Sequence, residues 1–128
     1  MRKIAYLAII AAVTLLAGCS KIDIEDKFLE GTMWTGTLSY SNLPSDEYDS
    51  ISFEFHGGYA DFVYLEYATN NPEKGKALYT TTANELTISK ANDLIDGTWT
   101  VIEQKGSRLV MIRLHENETL TIELIKRR

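Results

Sequence analysis

The sequence predicts an all-β fold, a small antiparallel meander of about eight strands that closes as an up-and-down barrel. From residue 31 onward, apolar residues recur with the two-residue period of strands, and no stretch sustains the 3.6-residue period of helices. Turn residues separate the predicted strands, and no connection is long enough for the crossover helix that parallel pairing requires. Closure into a barrel is the simplest way for such a sheet to remove its edges.

The first elements are a lead segment and two strands, the second of which forms a hairpin with the third. Residues 20–30 mix acidic with apolar residues, which predicts a tether that ends in a short helical turn before Gly31. Gly57-Gly58 predicts a tight turn between the second and third strands, because such turns favour positive φ at both central positions. The apolar faces of the first two strands consist of Trp34, Gly36, Leu38 and Tyr40, and of Ile51, Phe53 and Phe55.

Six further strands are predicted after this turn. Turn sequences such as Ala83-Asn84 and Lys105-Gly106-Ser107 separate them. The predicted strands cover residues 59–67, 76–82, 85–89, 97–102, 109–114 and 119–125.

The N-terminus has the layout of a secretion signal. Arg2 and Lys3 precede an apolar run over residues 4–16, which is shorter than the roughly 20 residues that span a bilayer as a helix. The sequence Leu-Ala-Gly-Cys that ends at Cys19 resembles the lipobox of bacterial lipoproteins. The resemblance implies that the signal is removed and that Cys19 becomes the lipid-carrying N-terminus, with palmitate or a similar acyl chain as the anchor.

These features predict three segments. Residues 1–18 are a lipoprotein signal peptide, residues 19–30 are a lipidated tether with a short helical lead, and residues 31–128 are the barrel domain. Two or three acyl chains on Cys19 give a stable membrane anchor, where one chain would be marginal. Cys19 is the only cysteine, so no intramolecular disulfide is expected. No cofactor is expected beyond the covalent lipid.

The predicted domain resembles the lipocalin-like lipoproteins of Bacteroidota in three features. These are a short helical lead, the opening sequence Gly31-Thr32-Met33-Trp34 and about eight antiparallel strands. The resemblance implies an envelope lipoprotein. Ser20 follows Cys19, whereas an aspartate there retains lipoproteins of enteric bacteria in the inner membrane, so we expect the outer membrane. Whether the domain faces the periplasm or the cell surface stays open.

Charge and motifs argue against several classes of function. The chain carries 13 basic and 18 acidic residues, and loss of Arg2 and Lys3 with the signal makes it more acidic still. Nucleic acid is therefore not an expected partner, because its binding needs clustered Lys and Arg. No Gly-x-Ser-x-Gly or Ser-x-x-Lys element and no glycine-rich phosphate loop is present, so we expect no enzyme.

Metal sites are not expected either. His56 and His115 are the only histidines, and they fall at a turn and a strand end rather than at the spacing of metal ligands. Asp46, Glu47 and Asp49 crowd the loop before the second strand, but the regular Asp-x-Asp-x-Asp-Gly pattern of a calcium loop is missing. We expect a solvated acidic loop and exposed histidines.

The barrel interior has two possible states. A barrel of about eight strands is wide enough either to be filled by side chains or to hold one small ligand. Trp34, Phe53, Phe55 and Trp99 are the candidates for core packing or for ligand contact. Their bulk favours a largely filled interior.

The strand predicted over residues 59–67 is apolar on both faces. Phe62 and Tyr64 lie on one face, and Val63 and Leu65 lie on the other. An exposed contiguous apolar surface marks a site for a partner or ligand, so these four residues form a possible partner surface. The alternative is that Phe28 and Leu29, or the loop 91–96, cover the outer face.

We therefore expect a non-enzymatic envelope lipoprotein that acts as a binding module for a small apolar ligand or for another envelope protein. The alternative is a structural or assembly subunit of an envelope complex, with a filled barrel and no ligand. An enzyme ranks third.

Overall fold

A computed structural model describes residues 22–128, which form a closed barrel of eight strands in simple chain order. Each strand pairs antiparallel with the next, and the last pairs antiparallel with the first. The predicted all-β meander that closes as an up-and-down barrel is therefore confirmed. Cys19 and the predicted signal peptide lie outside the described residues.

The elements are one short helix followed by the eight strands. The fourth, seventh and eighth strands begin earlier than predicted. The third strand ends at Leu65, and a turn follows in which the Thr69 N–H bonds the carbonyl of Glu66. No helix within the described range is long and apolar enough to cross a membrane. The bounds are α1 (Asp26–Leu29), β1 (Met33–Tyr40), β2 (Asp49–Phe55), β3 (Tyr59–Leu65), β4 (Glu73–Thr82), β5 (Glu85–Ser89), β6 (Gly97–Lys105), β7 (Arg108–His115) and β8 (Glu118–Lys126).

The barrel has two ends, which we name by what they carry. The tether end is where β1 begins and where the chain enters from residue 22, and it also holds the β2–β3 hairpin turn. In that turn Gly58 adopts the predicted positive φ, at 87°, whereas Gly57 does not. The loop end carries the connections 41–48, 66–72 and 90–96.

The interior is packed with side chains from all eight strands. Trp34, near the tether end, and Trp99, near the loop end, are fully buried. Phe53 and Phe55 stack with ring centroids 5.4 Å apart, and the edge of Tyr79 meets Phe55 at 5.0 Å. These rings belong to one continuous hydrophobic cluster, so the four sequence candidates for core or ligand contact are core residues.

The N-terminal segment closes the tether end. Ile24 and Leu29 are buried in the core cluster, and the Phe28 ring lies 5.8 Å from that of Trp34. The Ile24 N–H bonds the carbonyl of Ala83 at 2.8 Å, which fixes the segment across the end of the barrel. Phe28 and Leu29 therefore close an end instead of covering the outer face.

The loop 90–96 closes the opposite end. Ile95 is fully buried, and its carbonyl accepts the indole N–H of Trp99 at 2.8 Å. The Asn92 side-chain oxygen accepts the backbone N–H groups of Leu94 and Ile95, at 3.0 and 2.8 Å. The Arg113 guanidinium lies 5.2 Å from the Trp99 ring and donates to the carbonyl of Leu94. This loop also leaves the outer face uncovered.

Gly36 allows β1 to approach β8 closely. A Cβ built at this position would lie 1.7 Å from the carbonyl oxygen of Glu123 on β8. Such a contact is impossible, so any side chain at residue 36 forces the first and last strands apart. The closure of the barrel therefore depends on glycine here.

Candidate binding groove

A groove of about 530 Å³ crosses the outside of the barrel over β8, β1, β2 and β3. Its floor consists of the hydroxyl side chains Thr35, Thr37, Ser50 and Ser52. Its walls are Val63 and Leu65 on one side and Ile125 on the other, and its ends are Tyr48 with Pro72 and, at the opposite end, Arg127. We call this feature the outer groove.

Strand register explains why this surface is concave. Ser52 lies between Thr35 of β1 and Val63 of β3, and Ile125 of β8 lies beyond Thr35. The next outward row repeats the order with Thr37, Ser50 and Leu65. β1 and β2 therefore present short side chains, while β3 presents Val63 and Leu65 and β8 presents Ile125 beside Thr35 and Glu123 beside Thr37, which makes a trough along the strands.

The end of the groove that faces the tether end carries a positive charge. The Arg127 Nε donates to the Thr35 Oγ1 at 2.6 Å, and the Arg127 backbone N–H bonds the carbonyl of Met33 at 2.7 Å. Among the described residues Arg127 has no ion-pair partner, whereas its neighbour Arg128 pairs with Glu54 at 2.7 Å. The guanidinium is held in place without being neutralised.

The structure separates the four residues of the predicted partner surface. Val63, which is 37% exposed, and Leu65 form a wall of the outer groove. Phe62 and Tyr64 are buried in the core, because alternate residues of a strand point to opposite faces and theirs is the inner one. The inclusion of Phe62 and Tyr64 in the predicted partner surface is therefore wrong.

The second strand that is apolar on both faces, β7, behaves differently. Val110 faces outward but is buried, and its cross-strand neighbours are Glu103 and Glu123. Arg108 pairs with both of these carboxylates, at 3.3 and 3.1 Å, so an ion cluster surrounds Val110. Leu114 is left alone on this strand, 73% exposed, and does not line the outer groove.

Asp49 is not part of a solvated acidic loop, contrary to the expectation from sequence. It begins β2, is only 1% exposed, and accepts hydrogen bonds from the hydroxyls of Tyr40 and Tyr64. Its other oxygen accepts the backbone N–H of Tyr67 at 2.8 Å. Burial, then the hydrogen bond to Asp49, raises the pKa of both tyrosines. We call these residues the Asp49 cluster.

The Asp49 cluster fixes the loop end of the outer groove. Tyr48 directly precedes Asp49, and the bond to Tyr67 holds the start of the loop that leads to Pro72. Sequence analysis missed this role, although one signal was present. Asp49 has the same parity as Ile51 and Phe53, so strand alternation already placed its side chain inside.

One set of side chains has the composition of a metal site. Glu54, His56 and Asp61 place one ligand atom each within 4.8 Å of one another. Their carboxylates are already paired, Asp61 with Lys76 at 2.9 Å and with His56 at 3.0 Å, and Glu54 with Arg128. These contacts describe a surface ion network, and His56 is half-buried within it rather than freely exposed.

Hydrogen bonding within this network controls the Asp61 carboxyl. The hydrogen bond from Lys76, and then that from His56, lowers the pKa of Asp61 below its ordinary value. The same contact with Asp61 raises the pKa of Lys76. A metal ion would have to displace these cations before it could bind.

No protein-family model matches this sequence, and no curated protein or solved structure is significantly similar to it. Its function is therefore to be inferred from the outer groove and the residues that build it.

Proposed function

We propose that the protein is a non-enzymatic envelope lipoprotein whose barrel is a rigid binding module, with the outer groove as its contact site. The single observation that carries this proposal is the position of the apolar walls. Val63 and Ile125, 37% and 42% exposed, flank a depression on the outer surface of the barrel. Large apolar side chains that stay exposed around a concavity are typical of a binding site.

Packing of the interior supports binding on the outside. The inward-facing rings form one hydrophobic cluster, and the N-terminal segment and the loop 90–96 close the two ends. A ligand inside the barrel would have to displace these side chains. A small apolar ligand or a segment of another envelope protein is therefore expected in the outer groove.

The groove is also built for a defined geometry. Its floor and walls lie on four hydrogen-bonded strands, and sites on strands hold their side chains in place better than sites on loops. The Asp49 cluster fixes the loop end in addition. A preorganised site loses little conformational entropy when it binds.

The membrane anchor in this proposal is the lipid on Cys19, and the expected location is the outer membrane. Only two residues, Ser20 and Lys21, separate Cys19 from the first described residue, so the tether end of the barrel would lie close to the membrane. Cys19→Ala is expected to release the protein from the membrane fraction. Continued membrane association of that variant would contradict the anchor.

A photo-crosslinking amino acid placed at position 63 tests the contact site in intact cells. We expect crosslinked products from position 63, detected as a mass shift of the protein, because Val63 lines the groove. Position 114 is the matched control, since Leu114 is a more exposed apolar residue outside the groove. Equal crosslinking from the two positions would contradict the proposal.

The packed interior also favours a second candidate, a structural or assembly subunit that holds no ligand. Native mass spectrometry of the protein extracted from membranes separates the two. A small molecule that remains bound supports the binding module with a ligand. A bare protein mass together with a stable protein partner supports the assembly subunit.

A further inference from the structure

We propose that the outer groove binds an anionic amphiphile, with a carboxylate or phosphate group paired to Arg127 and a short apolar chain lying between Val63 and Ile125. This inference rests on the proposed function, since it names the ligand class of the same site. Three properties of the groove carry it: an unneutralised cation at one end, apolar walls, and free hydroxyl groups on the floor.

Arg127 differs from every other arginine in the described range. Arg108 pairs with two glutamates, Arg113 donates to loop carbonyls, and Arg128 pairs with Glu54. Arg127 uses only its Nε, in the bond to Thr35, and its two Nη groups have no acceptor among residues 22–128. A guanidinium with free Nη donors and a fixed plane is suited to bidentate recognition of a carboxylate or phosphate.

The walls determine the apolar part of the ligand. Ile125 of β8 lies two residues before Arg127, which follows the end of that strand. Val63 lies opposite Ile125 across β1 and β2, which present short side chains here. The trough between them runs along the strands, from Arg127 toward Tyr48 and Pro72. Two residues on one face of a strand span about 7 Å, so the trough suits a short chain that starts at Arg127.

The floor argues against a purely apolar occupant. The hydroxyls of Thr37, Ser50 and Ser52 make no hydrogen bond to any residue in the described part of the chain. A purely hydrocarbon ligand would displace the water that bonds these hydroxyls and would offer no hydrogen-bond partner in its place, which costs free energy. A ligand that carries oxygen atoms beside its apolar chain can satisfy them, which an acid or a phosphate ester does.

The test is a titration of the barrel followed by amide and guanidinium NMR signals. Each contact described above lies within residues 22–128, so a chain that starts at Ser20 contains the whole closed barrel. The probes are octanoate, octyl phosphate and octyltrimethylammonium, each below its micelle concentration, with inorganic phosphate and acetate as headgroups alone. We expect saturable shifts of the Arg127 Nε–H and of the Val63 and Leu65 amides with both anionic amphiphiles only.

Two arginine variants make the test specific. Arg127→Gln is expected to weaken octanoate binding at least about tenfold, because it removes a charged hydrogen-bond donor. Arg128→Gln, which removes the neighbouring arginine that pairs with Glu54, is expected to bind as the unaltered protein does. Val63→Glu is expected to abolish binding by placing a carboxylate in the wall.

Failure of this ligand class can be distinguished from failure of the proposed contact site. Binding of octyltrimethylammonium as strong as that of octanoate, or equal weakening by the two arginine variants, would overturn the ligand class. Binding of phosphate or acetate alone as strong as that of the amphiphiles would also overturn it, since the apolar walls would then play no part. If Val63 crosslinks in cells while both anionic amphiphiles fail to bind, the contact site stands and only this ligand class is wrong.

Discussion

At each end of the barrel a buried tryptophan donates its indole N–H to the segment that closes that end. Trp34 donates to Thr32 at 2.7 Å at the tether end, and Trp99 donates to the carbonyl of Ile95 at 2.8 Å at the loop end. The charged groups near the two ends differ, however. At the loop end the carboxylate of Asp49 is buried, whereas at the tether end Asp61 stays on the surface among cations.

The two carboxylates contribute to the fold in different ways. Asp49 is satisfied by neutral donors, namely the hydroxyls of Tyr40 on β1 and Tyr64 on β3 and the backbone N–H of Tyr67, so its burial depends on the placement of these three groups. Asp61 is paired with Lys76 and His56 at the protein surface, where ion pairs contribute little to stability. Loss of the Asp49 carboxylate at the loop end should therefore lower the stability of the protein strongly, and loss of the Asp61 ion pairs at the tether end should lower it only slightly.

The largest loss of stability is expected from the feature that the two ends share, a buried tryptophan. Trp34→Ala and Trp99→Ala should each lower the free energy of unfolding by about 3–5 kcal/mol, because each change removes a buried ring and leaves a void. Chemical denaturation, followed by fluorescence of the remaining tryptophan, measures both. Leu114→Ala, at an exposed position, is the control and should change it by less than about 0.5 kcal/mol. A loss below about 1 kcal/mol in either tryptophan variant would mean that its ring does not support that end.

A smaller loss of stability should distinguish the loop end from the tether end. Asp49→Ala is expected to cost about 1–3 kcal/mol of folding free energy, since it leaves the half-buried hydroxyl of Tyr40 and the buried hydroxyl of Tyr64 without their acceptor. Amide hydrogen exchange should become faster at Tyr67 and stay unchanged at Gly31, which bonds Phe55 at the tether end. Asp46→Ala, at an exposed loop position, is the matched control. Equal destabilisation by both variants would contradict a buried role for Asp49.

A third prediction concerns alkaline pH. Burial and Asp49 raise the pKa of Tyr40 and Tyr64, so the folded protein holds both as neutral phenols. The stability linked to these groups is complete below the ordinary tyrosine pKa of about 10 and is lost as the pH rises above it. Tyrosine absorbance near 295 nm and circular dichroism should show that these two residues ionise only as the barrel unfolds. Ionisation of all tyrosines in a still-folded barrel would contradict this.

The smallest effect is expected at the tether end. Lys76→Met should move the pKa of Asp61 back toward its ordinary value, because the hydrogen bond from Lys76 is the main cause of its lowering. Carboxyl NMR measures this shift. A carboxyl whose pKa is lowered by folding stabilises the fold at pH values above its pKa in the unfolded chain, and this stabilisation is lost as the pH falls. Asp61 is exposed to solvent, so its contribution is small. The denaturation midpoint should therefore stay unchanged within error, and a clear loss would place Asp61 in the same class as Asp49.

Much of the fold was predictable because strand alternation is a local property. The parity of Trp34, Phe53 and Trp99 predicted which faces form the core, and the short connections predicted antiparallel pairing. Alternation was not enough for the strand over residues 59–65, whose two faces are both apolar. There only the closed barrel decides that Phe62 is inside and Val63 is outside.

The outer groove could be predicted only in part. Val63 and Leu65 were two of the four residues of the predicted partner surface, and they form one wall. The opposite wall, Ile125, and the cation at Arg127 come from the far end of the chain and join the site through the pairing of β8 with β1. The predicted closure of the barrel implied that β8 pairs with β1, but sequence spacing does not give the register that sets Ile125 beside Thr35.

The pairing of β1 with β8 has a consequence for how the chain folds. The register joins Trp34 to Lys126, so the first strand finds its last partner only when the C-terminal residues are available. A loop that joins the two ends of the chain is entropically the most expensive to close and the slowest to form. Until then the edges of β1 and β7 are open, and open strand edges pair with other chains. Loss of a few C-terminal residues should therefore cause aggregation during folding rather than a modest decrease in stability.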